Sequence, residues 1–202
     1  MQILLATTNP HKIEEVRAIL APLGVRVIGL DSLGRTIPEP VEDGDTFAAN
    51  ARIKAIAYAD ATGQRVLADD SGLCVDALGG APGVHSARYA GIGATREARD
   101  RANNEKLLTT LRDLPHADRA ARFVCAMCLA DPDGTIIAEV EGEFAGVITD
   151  RPRGDNGFGY DPLLEIPGLG LTSAELPPHE KNARSHRGDA ARKLAHLLRR
   201  SS

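Results

Sequence analysis

Apolar residues in this chain fall into short runs whose spacing alternates between the period of a strand and that of a helix. Gln2 to Ala6 is a compact apolar run that predicts a strand, after which Ile13, Val16 and Leu20 recur at helical spacing. Between them Asn9 is a good N-cap and Pro10 suits the first helical position. The segment from Thr7 to Lys12 is therefore expected to offer backbone N–H groups at a positive helix end. Val25 to Leu30 predicts a second strand, Ile37 to Gly44 an exposed loop carrying two prolines and three acids, and Thr46 to Thr62 an Ala-rich helix closed by Gly63. Val66 to Ala68 predicts a brief buried strand that stops at Asp69 and Asp70. A polar helix follows from Thr95 to Leu111. Ala121 to Ala130, Thr135 to Gly142 and Phe144 to Ile148 then predict an antiparallel meander with a DPDG turn after its first strand. Beyond a glycine-rich, aromatic stretch at Gly154 to Pro162, Ala190, Leu194, Leu197 and Leu198 form the apolar face of a closing helix. Helices alternating with strands, together with a meander, predict an α/β fold around a long mixed sheet, with two lobes and a cleft between them.

Composition narrows the class of function. At 202 residues and 43% hydrophobic, the chain suits one domain spanning residues 1–202. A net charge of -4 argues against capture of DNA or RNA, which needs clustered Lys and Arg, and aromatics at 3% argue against a base-stacking platform. No run approaches the ~20 apolar residues that span a bilayer. The N-terminus also lacks a positive segment leading into a long apolar one, so the chain reads as cytoplasmic, without membrane or nucleic-acid partners. Three cysteines, Cys74, Cys125 and Cys128, are too few for a disulfide framework. Cys125 and Cys128 sit three apart in a strand-like segment, which points them to opposite faces and reads as buried structural thiols.

Four polar segments break the apolar pattern: Thr7 to Lys12, Glu39 to Asp45, Asp69 to Gly72, and Gly157 to Asp161 continuing to Lys181 and to His186 and Arg187. Lys12, Lys54, Lys181 and Arg187 lie near element ends, while Glu42, Asp69 and Asp70 offer oxygen ligands. A polyphosphate with magnesium requires this combination of cations and helix-end N–H groups with one or two carboxylates for a hydrated metal. Each segment alone has an ordinary reading as a capped helix start, a turn or solvated charges. HExxH, paired C-x-x-C, G-x-S-x-G and Walker A patterns are all missing, which removes the zinc hydrolase, serine hydrolase and P-loop readings.

The motifs LATTNPHKIEEV, EDGDTFAANARIKA, LADDSGLCVDALGGAPGVHSARYAG, GFGYDPLL and EKNARSHRG occur in this order along nearly the whole chain. In them the sequence resembles the inosine-triphosphate and XTP pyrophosphatase family. The resemblance implies an elongated mixed sheet flanked by helices, a homodimer, and hydrolysis of noncanonical purine nucleoside triphosphates (ITP, dITP, XTP) to monophosphate and pyrophosphate, with one Mg2+ per subunit. It also implies roles for residues. Thr7, Thr8, Asn9, Pro10, His11 and Lys12 match the phosphate-binding turn, with Asn9 and Lys12 as its main side chains. Glu42 matches a metal ligand, and Asp70 the catalytic acid at the metal. Ser71 falls beside the substrate, with Asp69 and Lys54 in support. Phe158, Gly159, Tyr160 and Asp161 match the nucleoside-binding segment, in which an aromatic ring packs on the base. Lys181, His186 and Arg187 match the part of the pocket that meets the substrate, including the base's oxygen-bearing edge.

His11 departs from the family pattern, which has glycine there in many members, and Glu39 is an alternative to Glu42 in the acidic loop. Rival readings are a Maf-like pyrophosphatase for other modified nucleotides, a nucleotide sensor that has lost catalysis, and a nucleic-acid-binding module. GFGYDP and SHRG fit the first worse, Glu42, Asp69 and Asp70 speak against the second, and low basic charge speaks against the third.

Overall fold

The structure is a computed structural model that describes residues 2–200. Its strands are β1 (Gln2–Leu5), β2 (Arg26–Gly29), β3 (Val66–Val75), β4 (Ala120–Ala130), β5 (Ile136–Ile148) and β6 (Leu164–Glu165). Its α-helices are α1 (Pro10–Leu20), α2 (Phe47–Thr62), α3 (Arg96–Thr110), α4 (Pro178–Arg184) and α5 (His186–Arg200). The sheet order is β2-β1-β3-β4-β5-β6. β1 runs parallel to β2, with Gln2 opposite Arg26, and parallel to β3, with Leu5 opposite Leu67, whereas β5 and β6 pair antiparallel. The expected α/β fold with a mixed sheet is thus found.

The chain clusters into two compact units. Among the described residues, unit 1 comprises 2–71, 125–143 and 182–200, and unit 2 comprises 72–124 and 144–181. In unit 1, Ile3, Leu5, Leu67, Met127 and Leu129 of the strands bury against Val16 and Leu20 of α1 and Ala190, Ala191 and Leu194 of α5. In unit 2, Leu73, Val75, Phe123, Phe144 and Ile148 pack with Leu107 and Leu111. Each Val, Leu, Ile, Met or Phe among them contributes about 1.5–3 kcal/mol on burial.

Helix ends follow the local chemistry. Thr46 caps α2 by accepting the Ala49 N–H at 3.1 Å, and Gly63 closes it at φ 65°. Thr95 caps α3 in the same way on Ala98.

Two expectations are corrected. The strand at Val66 does not stop at the acids, because Leu73 and Val75 supply further buried positions and the backbone stays extended through Asp69 and Asp70 to Val75. The two strands expected on either side of Glu143 are one, β5. Gly142 lies within it because any side chain there would strike the α5 backbone at His186 and Ala190. The expected closing helix is α5, which carries Ala190, Leu194, Leu197 and Leu198; the short α4 precedes it, and the Ser185 hydroxyl caps α5 by accepting the Gly188 N–H at 3.1 Å. Cys125 and Cys128 are buried free thiols on β4, as expected.

Candidate active site

The turn after β1 is fixed by its own side chains. Thr7 Oγ1 accepts the Asn9 N–H at 3.2 Å, and Asn9 Oδ1 accepts those of His11 at 3.1 Å and Lys12 at 3.5 Å. Pro10 follows at the start of α1. Asn9 therefore shapes the turn, and the positive end of α1 lies beside the exposed Thr8 and His11. Lys12 reaches from the first turn of α1 to Asp69 Oδ2, 2.9 Å away.

On β3 the adjacent acids part company. Asp69 is 1% exposed. Its Oδ2 receives Lys12, Nε and Nη2 of Arg187 at 3.4 and 3.3 Å, and the Ser71 hydroxyl at 3.5 Å. Its Oδ1 has no hydrogen-bond partner among the described residues. Burial favours the protonated form of Asp69, but Lys12 and Arg187 overcome it and hold the carboxyl well below the usual carboxylate range. Arg187 is completely buried; it also donates to Ser71 Oγ at 2.9 Å and to Glu15 on α1. Burial would lower its affinity for a proton, yet Asp69 and Glu15 raise it.

Asp70 meets a different set. Its Oδ1 accepts Lys54 Nζ at 3.1 Å and its Oδ2 accepts Asn50 Nδ2 at 3.3 Å. Lys54 Nζ also lies 2.8 Å from Glu42 Oε2. Asn50 and Lys54 are one turn apart on α2 and so share a face. Asn50 Oδ1 accepts the Gly44 N–H at 2.9 Å, which pins the loop that carries Glu42. Burial pushes the Asp70 carboxyl above its ordinary value, and Lys54 and Lys12 offset this only in part. Burial works against the Lys54 ammonium, but Asp70, Asp69 and Glu42 together raise its pKa.

Glu42 and Asp70 thus converge on one ammonium, with two hard oxygen donors around a single positive charge. No group of three or more His, Cys, Asp or Glu forms a metal cage among the described residues. Magnesium is ordinarily held by one or two carboxylates, with water and phosphate oxygens completing its shell, so this pair fits it. Glu42, and not Glu39, makes the contact with Lys54.

Unit 2 carries the remaining motif. Asp161 is buried; its Oδ2 accepts the Phe158 N–H at 2.8 Å and Lys181 Nζ at 2.6 Å, and its Oδ1 accepts the Ser173 hydroxyl at 2.8 Å. Gly157 turns at φ 78°, where a side chain would meet the Asp161 carboxylate and Lys181. The Phe158 ring is half-buried, with the Arg96 guanidinium 5.0 Å and the Lys181 ammonium 5.1 Å from its centroid. Gly159 donates its N–H to Asp100 Oδ2 at 2.9 Å and accepts Asn104 Nδ2 at 3.1 Å. Asn104 Oδ1 is buried with no hydrogen-bond partner among the described residues, an arrangement that costs about 1–3 kcal/mol. Tyr160 gives its hydroxyl to Ser86 O at 2.9 Å, and burial raises its pKa.

Within unit 1 the structure brings together Lys12, Glu42, Lys54, Asp69, Asp70, Ser71 and Arg187, with His186 buried beside Arg187 at the start of α5. Within unit 2 it brings together Phe158, Asp161 and Lys181. Sequence reasoning missed Glu15, Asn50, Asp100 and Asn104. For Asn50 a signal was present, a polar residue four positions before Lys54 in an otherwise Ala-rich helix.

The Ham1 family model matches residues 3–197. A dITP/XTP pyrophosphatase of Streptomyces avermitilis is 51% identical, over 98% of this chain and 97% of that protein. A dITP/XTP pyrophosphatase of Anaeromyxobacter dehalogenans is 47% identical, also over 98% of this chain and 97% of that protein. Among solved structures, a HAM1 protein from Coxiella burnetii superposes with a TM-score of 0.86 at 40% identity, covering 99% of both chains. Sequence and backbone agree over almost the full length, and the chain belongs to the Ham1 family.

Proposed function

We propose that this chain is a nucleoside-triphosphate pyrophosphatase. It hydrolyses noncanonical purine nucleotides, ITP, dITP and XTP, between the α- and β-phosphates to release the monophosphate and pyrophosphate. The observation that carries the reading is the convergence of Glu42 and Asp70 on Lys54, which supports a hard-cation site beside a phosphate-seeking ammonium. The dITP/XTP pyrophosphatases of Streptomyces avermitilis and Anaeromyxobacter dehalogenans support the substrate class.

Glu42 and Asp70 would hold one Mg2+ per subunit, whose chemistry when bound is to neutralise phosphate charge and acidify a water. Asp70 orients the water that attacks the α-phosphorus and accepts its proton. Burial makes this carboxylate a stronger base than a solvated one. Lys12, Lys54 and the positive end of α1 spread the phosphoryl charge. Asp69 positions Lys12, and Arg187, with its nitrogens engaged by Asp69, Ser71 and Glu15, positions Asp69. Phe158 packs on the base, while Lys181 supplies a donor for the 6-oxo group. An adenine amino group would leave such a donor unpaired, at about 1–3 kcal/mol per mismatch. The enzyme works as a homodimer in the cytoplasm on small-molecule nucleotides. No helix among the described residues is long and apolar enough to cross a membrane.

The test is pyrophosphate release from ITP, dITP, XTP, GTP, ATP and dTTP, with magnesium and with the metal chelated. Rapid release from the first three, lost on chelation and restored by added magnesium, is the expected result. Binding of nucleotide without release would instead establish a sensor.

A further inference from the structure

Helix α3 has a polar face that the proposed mechanism does not use. Arg96, Asp100 and Asn104 follow one another at intervals of four residues, so they line one side of the helix, and Leu107 and Leu111 continue toward the core of unit 2. All three polar residues converge on two consecutive positions: Arg96 lies over the Phe158 ring, while Asp100 and Asn104 take the N–H and the C=O of Gly159.

Gly159 sits at φ 62°, and a Cβ built there would meet nothing within 4 Å. Glycine is therefore required for its backbone conformation and not for space. Two hydrogen bonds from α3 hold that backbone in place. On the other side of the ring's attachment, Phe158 N–H is held by Asp161. The backbone that carries the aromatic ring is thus tied on both flanks. The neighbouring Asn103 has another task, since it holds Ala90 N–H at 2.7 Å and Ser86 O at 3.2 Å.

We propose that Asp100 and Asn104 are positioning residues that set the Phe158 ring for the purine base, and that they govern KM while leaving the chemical step alone. A half-buried ring flanked by two cations suits a planar, oxygen-bearing heterocycle, and its usefulness depends on its angle. The proposal rests on the pyrophosphatase reading given above.

The experiment uses the full chain with ITP and compares wild type with Asp100→Ala, Asp100→Asn and Asn104→Leu. Inorganic tripolyphosphate, which has no base, serves as a competitive inhibitor that probes the phosphate side alone. Asp100→Ala and Asn104→Leu are each expected to raise KM about tenfold, equivalent to about 1.4 kcal/mol, with kcat within about twofold of wild type. Asp100→Asn retains an acceptor for the Gly159 N–H, and its KM stays within about threefold of wild type. Tripolyphosphate inhibition is unchanged in all three. If Asp100→Ala fails to fold, Asn104→Leu decides the matter. An unmoved KM in the variants, or inhibition by tripolyphosphate that weakens in parallel with KM, would overturn the positioning role. A wild-type chain that releases no pyrophosphate from ITP would instead overturn the function on which the role rests.

Discussion

Asp69 and Asp70 are adjacent and chemically identical, yet their surroundings drive them apart: two cations depress the first, while burial raises the second. The depressed acid is an anchor and the raised one is fit to take a proton. Asp70→Asn is expected to lower kcat about a thousandfold, close to 4 kcal/mol, with the thermal midpoint nearly unchanged. Pyrophosphate release measures the first and a melting curve the second; a wild-type rate would remove Asp70 from the mechanism. Asp69→Asn takes the carboxylate from Lys12 and leaves the buried Arg187 with the Glu15 carboxylate, and should cost about 3–5 kcal/mol at neutral pH. Because the folded-state pKa of Asp69 is lowered, its contribution is present above the unfolded carboxylate value and is lost as pH falls through the folded one. The stability gap between wild type and Asp69→Asn, read by urea unfolding, is therefore flat from neutral pH down to about 5 and narrows below about 4. Lys12, Glu42 and Asp70 were singled out in the sequence because polar segments interrupt the apolar pattern there and match the family's motifs, and the structure brings them together within unit 1. Glu15 and Asn104 were not, since a glutamate or asparagine within a helix is usually solvated, and only the folded chain reveals the buried partner.

Among the elements, those defined by caps were read to within a residue or two: Asn9 and Pro10 start α1, and Thr46 and Gly63 bound α2. Errors arose where glycine and acidic residues suggested interruptions that the fold does not make. Gly142 resembled a strand break, but it is the contact that lets the α5 backbone lie on β5. Gly142→Ala is expected to cost about 1–3 kcal/mol by forcing the helix outward. The midpoint of urea unfolding checks this, and an unchanged midpoint would show that α5 shifts freely. The apolar face of the closing helix was legible from Ala190, Leu194, Leu197 and Leu198, and the Ser185 hydroxyl bond to the Gly188 N–H starts α5 after the short α4.

Across the whole molecule, periodicity indicated the fold class because each unit buries its own cluster of strand and helix side chains. The sheet order β2-β1-β3-β4-β5-β6 was not legible, since it depends on which strands meet and not on any local signal. The unbroken course of β3 through both acids sets a limit on how this chain can vary. Neighbouring residues of a strand face opposite ways, so the strand acts as a ruler that assigns each acid its partners. Deleting one residue between Val66 and Ala68 would leave the composition of the site intact, yet it would turn Asp70 toward Lys12 and Arg187 and Asp69 away from them. Length changes during evolution should therefore accumulate in the loops around this segment, while β3 tolerates substitution but not insertion or deletion.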